Sequence, residues 1–147
     1  MVTKRGRLRY WLPPLLWTCV ILLASSDALS AANSGPWLQT IVTTILGHAL
    51  PAHQFSVLHF VLRKASHLTE YAILGALLFR ALRADRHRWN VRWSAAAVAI
   101  AAAVASVDEW HQTFVPSRTG AFSDVILDTV GATLAQVLIR VAQVLFF

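Results

Sequence analysis

Residues 107–131 read "VDEWHQTFVPSRTGAFSDVILDTVG". They gather four of the chain's seven acids, Asp108, Glu109, Asp124 and Asp128, together with His111 and Arg118. The apolar run "WSAAAVAIAAAVASV" precedes them and "VILDTVGATLAQVLIRVAQVLFF" follows. Pro116, Ser117 and Gly120 are turn residues, so the stretch reads as two apolar helices joined by a polar turn that carries Arg118. Ser123 is placed as a helix N-cap, and Asp124 in the next first turn complements the helix dipole. Asp108 and Gln112 align at i and i+4 with Glu109 beside them, and Asp128 lies one turn beyond Asp124. Acids at the joint between two such segments need an explanation that a surface loop does not supply.

The composition points to a membrane. Of 147 residues, 56% are hydrophobic and 14% charged, against about 45–50% and about 25% in a soluble domain. The length allows one domain, residues 1–147. Four apolar stretches predict an all-α integral membrane bundle with transmembrane helices near 10–26, 65–82, 93–112 and 122–147, since a bilayer core needs roughly 20 helical residues. Residues 31–63 form an external segment between the first two spans. There "WLQTIVTTILGHAL" and, after Pro51, "QFSVLHFVLRK" have the periodicity of short interfacial helices. His48, His53 and His59 in this segment read as interfacial polar residues. The eight alanines between positions 95 and 105 allow close helix approach, within the monomer or in a dimer.

The charges orient the bundle. Lys4, Arg5, Arg7 and Arg9 precede the first span, Arg80, Arg83, Arg86, Arg88 and Arg92 separate the second from the third, and Arg140 closes the fourth. Only Arg63, Lys64 and Arg118 fall on the other side, while six of the seven acids do. Positive-inside bias then puts both termini in the cytoplasm. The net charge of +6 is accounted for by topology, which argues against nucleic acid as a partner. A cleavable signal peptide within residues 1–32 is the rival account of the N-terminus; the aromatic residues Tyr10, Trp11 and Trp17 favour a retained span. The single cysteine, Cys19, excludes a disulfide framework and a thiolate metal cluster. No nucleotide-binding loop, HExxH or GxSxG motif occurs.

In the second span, "RKASHLTEYAILGALL" sets Lys64, His67, Tyr71 and Gly75 along one side of a helix, with Glu70 next to His67. The topology brings this motif to the same side of the membrane as residues 107–131. Lys64, His67, Glu70, Tyr71, Asp108, Glu109, Gln112, Arg118, Asp124 and Asp128 are therefore the candidates for a ligand site or polar network. Glu70 and Asp128 are the most informative, because capping explains neither and an ionised group in a bilayer costs about 2.5–3.5 kcal/mol or more. His67, Glu70, Glu109 and His111 are weaker candidates for a divalent metal site. No cofactor is required by the sequence.

The paired motifs resemble the VanZ-like family of small bacterial membrane proteins. The resemblance rests on Lys64, His67, Glu70, Tyr71 and Gly75 in the first half, and on Asp108, Glu109, Gln112, Phe114, Pro116, Arg118, Asp124, Asp128 and Gly131 in the second. The Ser25–Ser26 pair also fits. Ser117 departs from the family's usual glycine, which would stiffen the turn. Arg63 departs from the aspartate of some members, which removes one acidic partner. The resemblance implies a cell-envelope role in the bacterial cytoplasmic membrane, associated with resistance to glycopeptide antibiotics and teicoplanin in particular, and no agreed reaction.

Several functions are compatible with these residues. A binding protein would use Lys64, His67 and Arg118 on the phosphate of a lipid head group, a lipid-linked wall precursor or a lipoglycopeptide. A metal-assisted hydrolase or transferase acting on a lipid would use the His and carboxylate set, with Asp108 or Asp128 as base. A proton-coupled transporter has Glu70 and Asp128 in its favour, but the inner half of the spans offers only Thr133, Gln136 and Arg140 as polar groups. A structural polar network is the plainest alternative. The oligomeric state is open.

Overall fold

Several helix boundaries fall at caps and breakers, although Pro13 and Pro14 lie inside one helix and Pro36 inside another. The computed structural model describes residues 4–26, 31–86, 88–116, 118 and 120–146, so Ser117 lies outside them. Five helices, with no strand among the described residues, make up the fold: α1 (Lys4–Ala24), α2 (Ala31–Leu46), α3 (Ala52–Arg83), α4 (Val91–Gln112) and α5 (Phe122–Phe146). Gly47, at φ +75°, ends α2 with its N–H on the Thr43 carbonyl at 2.9 Å. Pro51 occupies the N-cap of α3, where a missing N–H leaves no donor stranded. Asn90 starts α4 by accepting from the Arg92 N–H at 2.8 Å.

Two expectations about boundaries are corrected. Residues 52–63 do not form a separate interfacial helix; they are the first three turns of α3, which runs unbroken for 32 residues. At about 1.5 Å per residue it is about 48 Å long, well beyond the roughly 30 Å of a hydrocarbon core. "LRKAS" at 62–66 changes polarity but contains neither glycine nor proline, so nothing stops the helix there. α5 begins at Phe122, which places Ser123 inside its first turn rather than at the N-cap.

α3 is the central element and packs on all four other helices, most extensively on α5. Tyr71, Leu74, Leu78 and Phe79 of α3 meet Ile21 of α1, the ladder Ala97, Ala101 and Ala105 of α4, and Ala132 of α5. The alanine ladder is fully buried within this chain, while Ala95, Ala99 and Ala103 face outward. Glycine sets the α3–α5 distance. A Cβ on Gly131 would lie 2.3 Å from the Leu68 carbonyl oxygen, and one on Gly75 would lie 3.0 Å from the Ala132 backbone.

The bundle has two unlike ends. At one, Arg9 pairs with Asp85 at 2.8 Å and the Arg140 guanidinium lies over the Trp89 ring. At the other, the acids of α4 and α5 converge with the end of α1 and the middle of α3. α4 and α5 are each long and apolar enough to cross a membrane, and α1 has a shorter apolar run, Leu8–Ala24. Leu15, Leu16 and Leu23 of α1 and Val137, Leu138, Val144 and Leu145 of α5 lie exposed. Water does not tolerate apolar patches much beyond a few hundred Å² on a monomer; a chain solvated by lipid displays such a belt.

The glycine geometry gives unequal outcomes for one substitution. Gly131→Ala is expected to lower the stability of detergent-solubilised protein by about 1–3 kcal/mol, because α3 and α5 must separate. Gly35→Ala, where a Cβ meets nothing within 4 Å outside its chain neighbours, is expected to cost less, about 1 kcal/mol or under, set only by the Pro36 ring that follows it in the helix. Thermal unfolding of the two variants beside the parent decides this.

Candidate functional site

The polar end of the bundle is built in layers along α3. Nearest the end, the Lys64 ammonium is paired with Asp124, whose carboxylate also accepts from the Ser123 hydroxyl at 3.3 Å. One turn deeper, His67 Nδ1 stands 3.4 Å from Asp128 Oδ1. That is ion-pair range without hydrogen-bond alignment. Glu109 approaches the same point from α4: its Oε2 accepts the Ala121 N–H at 2.7 Å, and its Oε1 lies 3.4 Å from Gln112 Nε2. Deeper again, Asp108 Oδ2 accepts from the Ser25 hydroxyl at 2.8 Å and from Gln112 Nε2 at 3.1 Å. Tyr71 lies one turn below His67 on α3, fully buried.

Helical phase explains which residues meet. On α4, Asp108, Glu109 and Gln112 all turn inward and are buried, whereas His111, about 200° from Glu109 at roughly 100° per residue, is exposed. His111 therefore does not join the other metal candidates. Glu70 is offset from His67 around α3; it is only partly buried and faces a cavity beside the carboxylate cluster. The group that converges is His67, Glu109 and Asp128, all buried, with one ligand atom from each within 4.8 Å of the others.

Arg118 fastens the turn to α1. Its Nη2 donates to the carbonyl oxygens of Ala24 at 2.9 Å and Ser26 at 3.2 Å, groups left open at the helix C-terminus. Gly120 packs so closely on α4 that a Cβ there would lie 2.4 Å from the Glu109 carbonyl oxygen. This close approach is what lets the Ala121 N–H reach the Glu109 side chain.

A cavity of about 390 Å³ lies between α2, α3, the end of α1 and Arg118. His59, Arg63, His67 and Arg118 give it cationic or cationisable lining, with Glu70 the one acid among the described residues, and Trp37, Leu38 and Leu62 give it an apolar side. Lys64 does not line it. Arg63 and His59 were not among the sequence-derived site residues, yet His59, Arg63, His67 and Glu70 recur at three- and four-residue spacing along α3. That stripe was hidden by the helix break assumed near residue 64. His59 Nε2 also bridges to the Ser34 hydroxyl of α2 at 3.1 Å.

An apolar helical bundle with a buried His and carboxylate cluster, paired with a half-buried lysine, at one end defines the class: a membrane-type helical protein whose buried acids gather at one end. The chain belongs to the VanZ/LLP1 family, whose model matches residues 10–143. Comparison with curated proteins and with solved structures yields no match.

The Lys64–Asp124 pair offers a direct test of how the cluster is held. Lys64→Met alone leaves a 3%-exposed carboxylate without its cation and is expected to destabilise by about 2–3 kcal/mol. The Lys64→Met/Asp124→Asn double variant is expected to recover much of that loss. A double-mutant cycle on unfolding free energies should give a coupling of about 1–3 kcal/mol; additive losses would mean the pair is incidental.

Proposed function

We propose that this protein is a four-span component of the bacterial cytoplasmic membrane whose cavity binds the anionic head group of a lipid or lipid-linked wall precursor. α1, the inner part of α3, α4 and α5 are the spans, and the first turns of α3 with α2 stand outside. Both termini are cytoplasmic and the polar mouth is external. The arginine-rich loop between α3 and α4, at the end opposite the carboxylates, supports this orientation.

The observation that carries the binding function is the lining of the cavity. Among the described residues, two arginines and two histidines against one carboxylate favour an anion, and a guanidinium matches phosphate oxygens in bidentate fashion. Arg63 Nε is buried and meets no hydrogen-bond partner among the described residues, so a donor is left for a ligand. Ser66 adds a hydroxyl, and Trp37, Leu38 and Leu62 suit the first carbons of an acyl chain. The volume of about 390 Å³ falls within the range of about 300–1,000 Å³ for small-molecule sites. Lipoglycopeptides such as teicoplanin also join polar groups to an acyl chain. Occupation of this mouth by such a molecule, or by the precursor it targets, is how the protein would modulate susceptibility.

Two measurements test the proposal. With short-chain phosphatidylglycerol added to the detergent-solubilised chain, native mass spectrometry is expected to show one retained lipid, and Arg63→Gln to weaken retention by about 10-fold, the equivalent of about 1.4 kcal/mol. Equal retention by parent and variant, or of phosphatidylcholine and phosphatidylglycerol alike, rejects the cavity as an anionic-lipid site. For topology, green fluorescent protein fused to the C-terminus is expected to fluoresce and alkaline phosphatase fused there to be inactive; the reverse pattern overturns the orientation.

A further inference from the structure

The cavity leaves the deeper carboxylates unexplained. Asp124 has Lys64, Asp108 has Ser25 and Gln112, and Glu109 has the Ala121 N–H and Gln112. Asp128 is different. It is fully buried, and neither of its oxygens accepts a hydrogen bond from a described residue. His67 Nδ1, 6% exposed as a residue, is likewise without a hydrogen-bond partner and points at it from 3.4 Å. Burying a carboxylate with no donor is among the costliest arrangements in a protein, and here Glu109 adds a second negative charge to the same place.

We propose that His67, Glu109 and Asp128 form a three-ligand site for a divalent cation of the zinc or manganese class. One ligand atom from each of His67, Glu109 and Asp128 lies within 4.8 Å of the other two, and both Asp128 oxygens and His67 Nδ1 lack a hydrogen-bond partner among the described residues. Adjacent ligands of an ion bound at about 2.0–2.2 Å stand roughly 3.0–3.5 Å apart, which the His67–Asp128 separation of 3.4 Å already meets. One nitrogen and two carboxylate oxygens suit zinc or manganese better than calcium or magnesium, which favour all-oxygen shells. The ligands come from three different helices, so the ion would also fix α3, α4 and α5 to one another. Three protein ligands leave at least one coordination position open, as in catalytic rather than structural sites.

His67 belongs both to this group and to the cavity lining. The open position therefore borders the space assigned to the head group, and a phosphate oxygen there would complete the ion's shell. That last link rests on the head-group proposal; the metal site itself does not.

The test uses the full chain, stripped with chelator and titrated separately with zinc chloride and manganese chloride, followed by calorimetry, elemental analysis and thermal unfolding. One equivalent per chain and a rise in unfolding temperature are expected with at least one of the two ions. Asp128→Asn and Glu109→Gln are each expected to weaken binding by more than about 100-fold, beyond the roughly 10- to 100-fold loss typical of outer-sphere changes, and to abolish the temperature rise. Metal-free Asp128→Asn is expected to unfold at or above the temperature of the metal-free parent, which separates ligand loss from misfolding. Arg63→Gln, which alters the cavity and none of the three ligands, is expected to keep its metal equivalent while losing lipid. The site is overturned if neither ion binds the parent stoichiometrically, or if Asp128→Asn and Glu109→Gln bind as the parent does.

Discussion

Four carboxylates buried at one end of an apolar bundle set the terms for everything else in this fold. The desolvation cost of a charge in a low-dielectric interior amounts to several kcal/mol even after relaxation, so each acid calls for a donor or a cation, and only Asp128, with His67 at 3.4 Å, is left without a hydrogen bond from a described residue. The chain answers from every direction. α3 contributes Lys64 and His67, the end of α1 contributes the Ser25 hydroxyl, α4 contributes Gln112, and the turn before α5 contributes the Ala121 N–H. Each answer ties a different segment to the cluster, so one electrostatic requirement locks four pieces of chain at a common point. The outward-facing surface, by contrast, is largely apolar and specifies little.

Those pairings need helices closer than ordinary side chains permit. His67 reaches Asp128 because α3 and α5 approach at Leu68–Gly131 and Gly75–Ala132. Gln136 uses the same closeness one step deeper, donating to the Gly75 carbonyl at 2.9 Å. Hydrophobic driving force between helices is weak in lipid, where packing of small residues and interhelical hydrogen bonds take over. Both are concentrated on the α3–α5 contact, and the alanine ladder of α4 lets the third helix join it. The small residues are thus part of the site's geometry at one remove.

The sequence showed the two halves of the polar end plainly. Acids, a lysine and a histidine inside apolar helical stretches have few explanations, and alternation of charge along the chain assigns them to one end. Lys64, His67, Asp108, Glu109, Gln112, Asp124 and Asp128 meet at that end, Tyr71 lies a turn deeper, and Glu70 and Arg118 line the cavity beside them. Three features were not legible. Where α3 begins depends on whether a helix survives a change of polarity, and composition does not report this: the polar "RKAS" suggested a boundary, but only a breaker would make one. The cavity depends on that continuity, so Arg63 and His59 read as residues of a separate interfacial helix. Which candidates share a ligand geometry depends on helix rotation, which excluded His111 and brought Asp128 in beside His67 and Glu109.

His67 is where the two charge environments of this end touch. Toward the cavity its neighbours are Arg63 and Arg118; toward the bundle interior they are Asp128 and Glu109. A basic and an acidic compartment separated by a single imidazole polarise one another, since few mobile charges intervene and the surrounding dielectric is low. An anion in the cavity and a cation among the carboxylates would attract across that ring, and linkage requires each to raise the other's affinity by the same factor. A purely structural network gains nothing from leaving Asp128 without a donor. A site that exchanges a charged ligand, as proposed for this cluster, would gain by it, because a fully satisfied network has no reason to open.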